Sequence, residues 1–189
     1  LLGGGRVNPI ENAAPSPLTR ATLYEALDAY LAALAARDPA RVPWADRVRN
    51  TENNVALMVG DGLWGTIVGV GDYQLKFADA ALGQVGYFGV VEEPHESSAF
   101  ALRLKVSPDL RIEEAETLVV RQSDSGIKFL NQRLWDKPIL NANVKPKQRT
   151  PRARMLSLAD GYFDTLQLND GTIFTRFHPD CNHVETGVQ

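Results

Sequence analysis

The chain has 189 residues, 44% of them hydrophobic and 23% charged, and a net charge of -3 at pH 7. That composition predicts a soluble globular protein of one or two domains. It excludes nucleic acid as the main partner, since phosphate binding needs a basic face, and no apolar run approaches the ~20 residues of a membrane helix.

Residues 1–18 are rich in Gly, Pro, Asn and Ala and read as an extended arm. Thr22 with Glu25 predicts a capping box at a helix start. Leu23, Leu27, Tyr30, Leu31 and Leu34 then trace one helical face, a core-packing stripe, and Pro39 limits the helix. The pattern changes after Trp44. Residues 48–52 read as a short strand, Asn53-Asn54 as a turn, and the glycines from Gly60 to Gly71 as breaks between short pieces. No Gly-x-x-x-x-Gly-Lys run makes those glycines a phosphate cradle.

Strands follow at residues 73–78, 84–92, 97–106 and 111–121, separated by turns at 79–83, 93–96 and 107–109. Phe100, Leu102, Leu104 and Val106 share one face, with Arg103 and Lys105 on the other. The neighbours Tyr87 and Phe88 leave open which of the two points inward. Connections this short join antiparallel neighbours. The prediction is an α+β fold, an N-terminal helix packed on a curved antiparallel sheet.

The chain also repeats itself. Residues 23–34 (LYEALDAYLAAL) align with 155–166 (MLSLADGYFDTL), so that Leu23, Leu27, Tyr30, Leu31 and Leu34 fall on Met155, Ala159, Tyr162, Phe163 and Leu166. Asp28 falls on Asp160. One inserted residue later, Trp44 meets Phe177 and Glu52 meets Glu185. This self-match predicts two copies of one domain, the second stopping after its opening helix and first strand. The expected organisation is an arm (1–18), a first domain (19–122), a linker (123–151) and the start of a second domain (152–189). The basic run at 145–154 (KPKQRTPRAR) reads as part of a solvated linker, a nucleic-acid arm being the alternative. Cys181 is the only cysteine, which excludes an intrachain disulfide and a cysteine metal cluster. The compartment stays open: cytoplasm is favoured, and a chain beginning at Leu1 leaves room for a removed signal peptide.

The element order resembles the nuclear-transport-factor-2-like, or SnoaL-like, superfamily of cone-shaped α+β folds. The residues that carry it are Asp28-Ala29-Tyr30-Leu31 in the opening helix, the strand ending Thr51-Glu52-Asn53, and the hairpin FALRLKVSPDLRIEEAETLVVR at 100–121. Residues 19–121 are covered well, and 152–189 resemble the beginning of a second such domain. The resemblance implies a conical pocket between helix and sheet. In relatives such as ketosteroid isomerase, scytalone dehydratase, polyketide cyclases and limonene epoxide hydrolase it implies proton transfer by Asp, Glu or His without metal or organic cofactor. Other relatives only bind ligands or partners, so the fold does not give the function.

Asp46 is the expected general base, near where ketosteroid isomerase places its own, with Trp44 beside it and a pKa raised by apolar surroundings. An exposed loop Asp is the alternative. Tyr73 or Tyr87 is the expected oxyanion partner, and Trp44 and Trp64 the pocket wall. Glu52, matched by Glu185, reads as a structural group common to both copies that also lines the cone. His178 is the pocket residue of the second copy. With Asp180, Cys181 and His183 it lacks regular zinc-ligand spacing, so no metal is expected. His95 reads as a solvated hairpin end, and Arg121 as a strand residue packed at the rim.

Two readings stand side by side. One is a cofactor-independent lyase, isomerase or hydratase acting on a small apolar, oxygenated molecule. The other is a non-catalytic ligand-binding or dimerisation module that pairs with a second domain copy or in a homodimer. A closed apolar cone with Asp46 or Glu52 pointing into it favours the first. A cone filled by Phe88, Phe100 and Leu102 counts against it.

Overall fold

The computed structural model describes residues 18–121, 140 and 142–181. The chain divides into two compact units, Leu1–Phe129 and Leu130–Gln189.

The first unit opens with helix α1 (Arg20–Ala35). Its N-cap is Thr19, three residues before the expected one, and the capping box joins Thr19 to Thr22 rather than Thr22 to Glu25. Thr19 wins because its hydroxyl accepts from the Thr22 N–H while Thr22 bonds back to the Thr19 N–H. A short 3-10 turn (Pro39–Arg41) follows. Strand β1 (Trp44–Glu52) starts four residues earlier than predicted. Asn53 and Asn54 make its hairpin to β2 (Val55–Ala56), both in the left-handed region with φ of 48° and 65°. The short helix α2 (Leu63–Thr66) leads into β3 (Gly69–Asp79), β4 (Gln84–Glu92), β5 (Ser97–Val106) and β6 (Ile112–Val120).

The six strands form one open sheet in the order β2-β1-β6-β5-β4-β3. The predicted hairpins are antiparallel, but β1 pairs with β6 in parallel, so the sheet is mixed. The short-connection rule governs sequential neighbours only. β1 and β6 are joined through the whole meander, long enough for a parallel crossover. Register shifts in β1, β3 and β5 bend the sheet. Its concave inner face takes α1, whose Leu23, Leu27, Tyr30 and Leu34 pack with Phe100, Leu102 and Leu104 in one core. Asp28 of α1 forms an ion pair with Lys76 of β3, and the Tyr24 hydroxyl donates to the Lys76 carbonyl at 3.1 Å.

Two glycines of β4 make room for rings. A methyl on Gly89 would fall within the Tyr87 ring, which is fully buried; one on Gly86 would fall within the half-exposed Phe77 ring. Phe77 can swing into solvent and Tyr87 cannot. Gly89→Ala is therefore expected to destabilise by about 2 kcal/mol and Gly86→Ala by clearly less. Equal losses in urea denaturation would refute the asymmetry.

The second unit contains a 3-10 turn (Pro146–Gln148) and helix α3 (Arg152–Leu168). The end of the basic run is thus the first turn of a helix and not linker. The segment after α3 folds back on the helix: Thr175 donates to the Leu158 carbonyl at 2.7 Å, and the Phe174 N–H to the Thr165 hydroxyl at 3.0 Å. A side chain at Gly161 would meet the Phe174 carbonyl at 3.1 Å. Among the described residues no strand follows α3. The rest of the strand expected there, including His183 and Glu185, lies outside the described residues. The apolar stripe repeats in sequence but not in environment. Leu23 and Leu34 are 0% exposed, whereas Met155 and Leu166 are 52% and 55% exposed.

Candidate functional site

Two places on the first unit hold chemistry worth weighing, one on each face of the sheet. On the inner face, parallel pairing sets Asn50 beside Ala115 and Glu52 beside Thr117. The Glu52 carboxylate accepts the Leu63 N–H at 2.7 Å, anchoring the first residue of α2. Trp64 is thereby laid edge-on against Tyr30 (ring centroids 5.5 Å) and against Trp44 (6.4 Å). Arg121, just past β6, donates to both oxygens of Glu93 at 2.6 and 3.0 Å and lies 3.6 Å from Glu52. Thr66, at the other end of α2, donates to Glu93 at 2.6 Å. Two carboxylates and one guanidinium thus clamp α2 from both ends.

The electrostatics follow from burial. Burial pushes the Glu93 carboxyl up, but hydrogen bonds from Arg121 and Thr66, with help from Ser98, outweigh it and hold the group below the usual carboxylate range. Burial drives the Tyr30 phenol well above its normal range; its contact with Trp64 opposes this and the Glu52 charge adds to it. Tyr30 is therefore a neutral phenol at any physiological pH. The cavity between these groups, lined by residues including Tyr30, Asn50, Glu52, Trp64 and Thr117, measures about 10 Å³. That is space for one water and not for an organic substrate.

The structure sorts the expected site residues. Trp44, Trp64 and Glu52 come together here, with Tyr30 between them. Asp46 does not join them: its side chain is 91% exposed and ion-paired with Arg111 at 2.8 Å. The reason is local. β1 begins at Trp44, and its register against β6 slips between Trp44 and Arg49, so Asp46 stands on a bulged strand facing water and lacks the apolar surroundings expected of a general base. Tyr73 and Tyr87 meet each other instead, the Tyr87 hydroxyl donating to the Tyr73 carbonyl at 3.4 Å. Burial first, and the charge of Asp28 second, push the Tyr87 phenol up to about 12. Phe100 and Leu102 fill the space between helix and sheet, as a closed core requires, and Phe88 points away from it. His178 is 76% exposed beside Asp180, and His95 and Cys181 are exposed. Among the described residues no cluster of three His, Cys, Asp or Glu side chains could hold a metal.

Glu93 and Tyr30 were not singled out as site residues by the sequence. One signal for the clamp was available. Alternation along β6 puts Thr117, Val119 and Arg121 on one face, and a guanidinium on a buried face demands a partner.

The outer face is different in kind. Register places Leu75, Phe88, Ala101 and Leu118 in one row across β3 to β6, and Phe77, Gly86, Arg103 and Glu116 in the next. Phe77, Phe88 and Leu118 are 47%, 48% and 46% exposed. Together they border an open concavity of about 420 Å³. At one end Arg103 bonds Glu116 and Glu114 at 2.8 and 2.7 Å, and Lys105 pairs with Glu113 at 3.2 Å.

One family model, described as Domain of unknown function (DUF8021), matches residues 16–122 and 148–189. No curated protein matches the chain. Among solved structures, a protein of unknown function with a cystatin-like fold from Methylobium petroleophilum PM1 is similar at 14% identity and a TM-score of 0.45, over 71% of this chain and 98% of its own. A protein from Sphaerobacter thermophilus is similar at 13% identity and a TM-score of 0.43, over 52% of this chain and 95% of its own. A protein of the SnoaL-like family from Agrobacterium tumefaciens str. C58 is similar at 11% identity and a TM-score of 0.38, over 53% of this chain and 99% of its own.

Proposed function

We propose, for a chain that belongs to the family described as Domain of unknown function (DUF8021), a non-catalytic binding role whose working surface is the outer face of the sheet. The observation that carries this reading is a contrast of volumes. The inner face leaves about 10 Å³, closed by Trp64. The outer face leaves about 420 Å³, bordered by aromatic and aliphatic side chains. Soluble domains rarely leave contiguous apolar surface without a use for it.

The proton-transfer reading keeps one supporting observation. Glu52 is a carboxylate beside a neutral phenol and two indoles, a set that general acid–base chemistry could use. It would need α2 to lift Trp64 away, and its base would be Glu52 and not Asp46.

Residue-resolved magnetic resonance of the full chain separates the two. Amide shifts on dilution of the protein, or on addition of cyclohexanol as a small apolar oxygenated probe, are expected at Leu75, Phe88, Ala101 and Leu118. Shifts confined to Tyr30, Asn50, Glu52 and Trp64 would sink the outer-face reading and move the site to the interior.

A further inference from the structure

We infer that the concavity on the outer face is a binding site for a small, neutral, planar aromatic compound, held between Phe88 and Arg103. This rests on the reading that the outer face is the working surface. Three observations carry it.

The first is shape. Register sets Gly86 between Phe77 and Arg103, and Ala101 between Phe88 and Leu118. The two small residues thus lie on one diagonal across β4 and β5, and Phe88 and Arg103 occupy the other. The result is a trough whose floor runs from Gly86 to Ala101 and whose walls are Phe88 and Arg103. Phe77, its ring leaning over Gly86, closes one end, and half-exposed Leu118 closes the other. A volume of about 420 Å³ is that of a small-molecule site. A flat protein surface laid across it would rest on the walls and forfeit contact with the floor.

The second is the pair of planar walls. Diagonal neighbours on adjacent strands stand ~7–8 Å apart. A flat ring in contact on both faces needs about 7 Å, twice the ~3.5 Å of a close carbon contact. A puckered aliphatic ring is thicker. The guanidinium is itself planar and stacks on aromatic faces. It is held in place, donating from Nε to Glu116 at 2.8 Å and from Nη2 to Glu114 at 2.7 Å. Phe88 is braced by the Phe77 ring, with centroids 5.4 Å apart.

The third is charge. The charged residues lining the trough are Arg103 and two carboxylates, Asp79 and Glu116. Arg103 engages Glu116, and Asp79 accepts the Ala81 N–H at 3.1 Å. An anion would meet an excess of negative charge and a guanidinium already neutralised. A cation would find both carboxylates engaged. A neutral ligand meets neither obstacle, and Gln84 in the same lining offers its hydroxyl or ring N–H an amide that both donates and accepts.

Magnetic resonance of the full chain tests the inference with naphthol, its saturated analogue decahydronaphthol, and naphthoate. Naphthol is expected to bind with a dissociation constant of about 1 mM or tighter, its ring protons giving Overhauser contacts to the Ala101 and Leu118 methyls. Decahydronaphthol and naphthoate should each bind at least about tenfold more weakly. Ala101→Leu fills the floor and should weaken naphthol by at least about tenfold. Arg103→Lys keeps the charge and loses the plane, so it should erase the preference for naphthol over decahydronaphthol; it also serves as the test if Ala101→Leu fails to fold. Decahydronaphthol or naphthoate binding as tightly as naphthol overturns the inference, as does naphthol binding indifferent to both substitutions. Absence of naphthol shifts on the outer face overturns it too. Shifts there with cyclohexanol or on dilution would then leave the outer-face reading standing, whereas shifts confined to Tyr30, Asn50, Glu52 and Trp64 would end both.

Discussion

Trp64→Ala is expected to cost about 4 kcal/mol of the first unit's stability, the upper range for truncating a buried aromatic side chain. Trp64 is 5% exposed and sits on a helix of only four residues, Leu63–Thr66. A helix that short has no stability of its own. It holds its place through the Glu52 and Thr66 contacts and through the indole seated on Tyr30 and Trp44. Edge-to-face aromatic pairs add about 0.5–1.5 kcal/mol each beyond burial, and the indole makes two. Removing it also leaves a cavity beside Asn50 and Glu52, where hydration would be the only compensation. The thermal midpoint followed by circular dichroism should fall by about 15–25 °C. A fall of a few degrees would mean that the indole is a loose cover over the interior, and would revive the proton-transfer reading with Glu52 as its base.

Arg121→Leu is expected to cost about 3 kcal/mol at pH 7, the scale for removing one partner of a poorly solvated ion pair. It strands Glu93, whose side chain is 8% exposed, and leaves Glu52 without its cation. The pH dependence gives this change a signature. In the wild type the Glu93 pKa is lowered on folding, so its contribution is present above the ordinary carboxylate value near 4.5 and is lost as pH falls through the folded value. Without Arg121 the desolvation that already pushes Glu93 up is opposed by less, and the charged form becomes a liability. Protonation relieves it. The deficit of Arg121→Leu relative to wild type should therefore be largest at pH 7 and shrink by pH 4, as measured by urea denaturation at both. An equal deficit at the two pH values would assign the loss to packing of the side chain stem and not to its charge.

Both predictions bear on Glu52, where sequence and structure meet most closely. Its match with Glu185 suggested a structural group, and the structure gives it structural work: it holds the start of α2. The neighbouring Asn53 bridges to β6, donating to the Val119 carbonyl at 3.0 Å and accepting the Val119 N–H at 2.9 Å. Thr117 donates to the Thr51 carbonyl at 3.0 Å. The Thr51-Glu52-Asn53 triplet thus stitches the end of β1 to β6 and to α2. Asp28, the other acid shared by the repeat, ties α1 to β3 through Lys76. Asp46, expected to be the general base from its place beside Trp44, is a solvated strand residue paired with Arg111.

What could be read from the residues was what short-range physics fixes. Strands β4 and β5 fall at the predicted bounds, because side-chain alternation ends abruptly at the turn residues 79–83, 93–96 and 107–109. The stripe of α1 is buried as its spacing demands. The parallel pairing of β1 with β6 was not legible, because no local signal couples segments separated by the whole meander. Nor was the meeting of Glu52, Arg121 and Glu93, which depends on that pairing. Alternation alone also divided Tyr87 from Phe88 without saying which faced inward. Both faces of a strand are equivalent until something covers one, and it is α1, laid on the Tyr87 side, that makes Tyr87 core and leaves Phe88 exposed as part of the surface proposed to bind. The same holds for the repeated stripe: its pattern specified a helix at Arg152–Leu168, but only a covering sheet could have made Met155 and Leu166 a core.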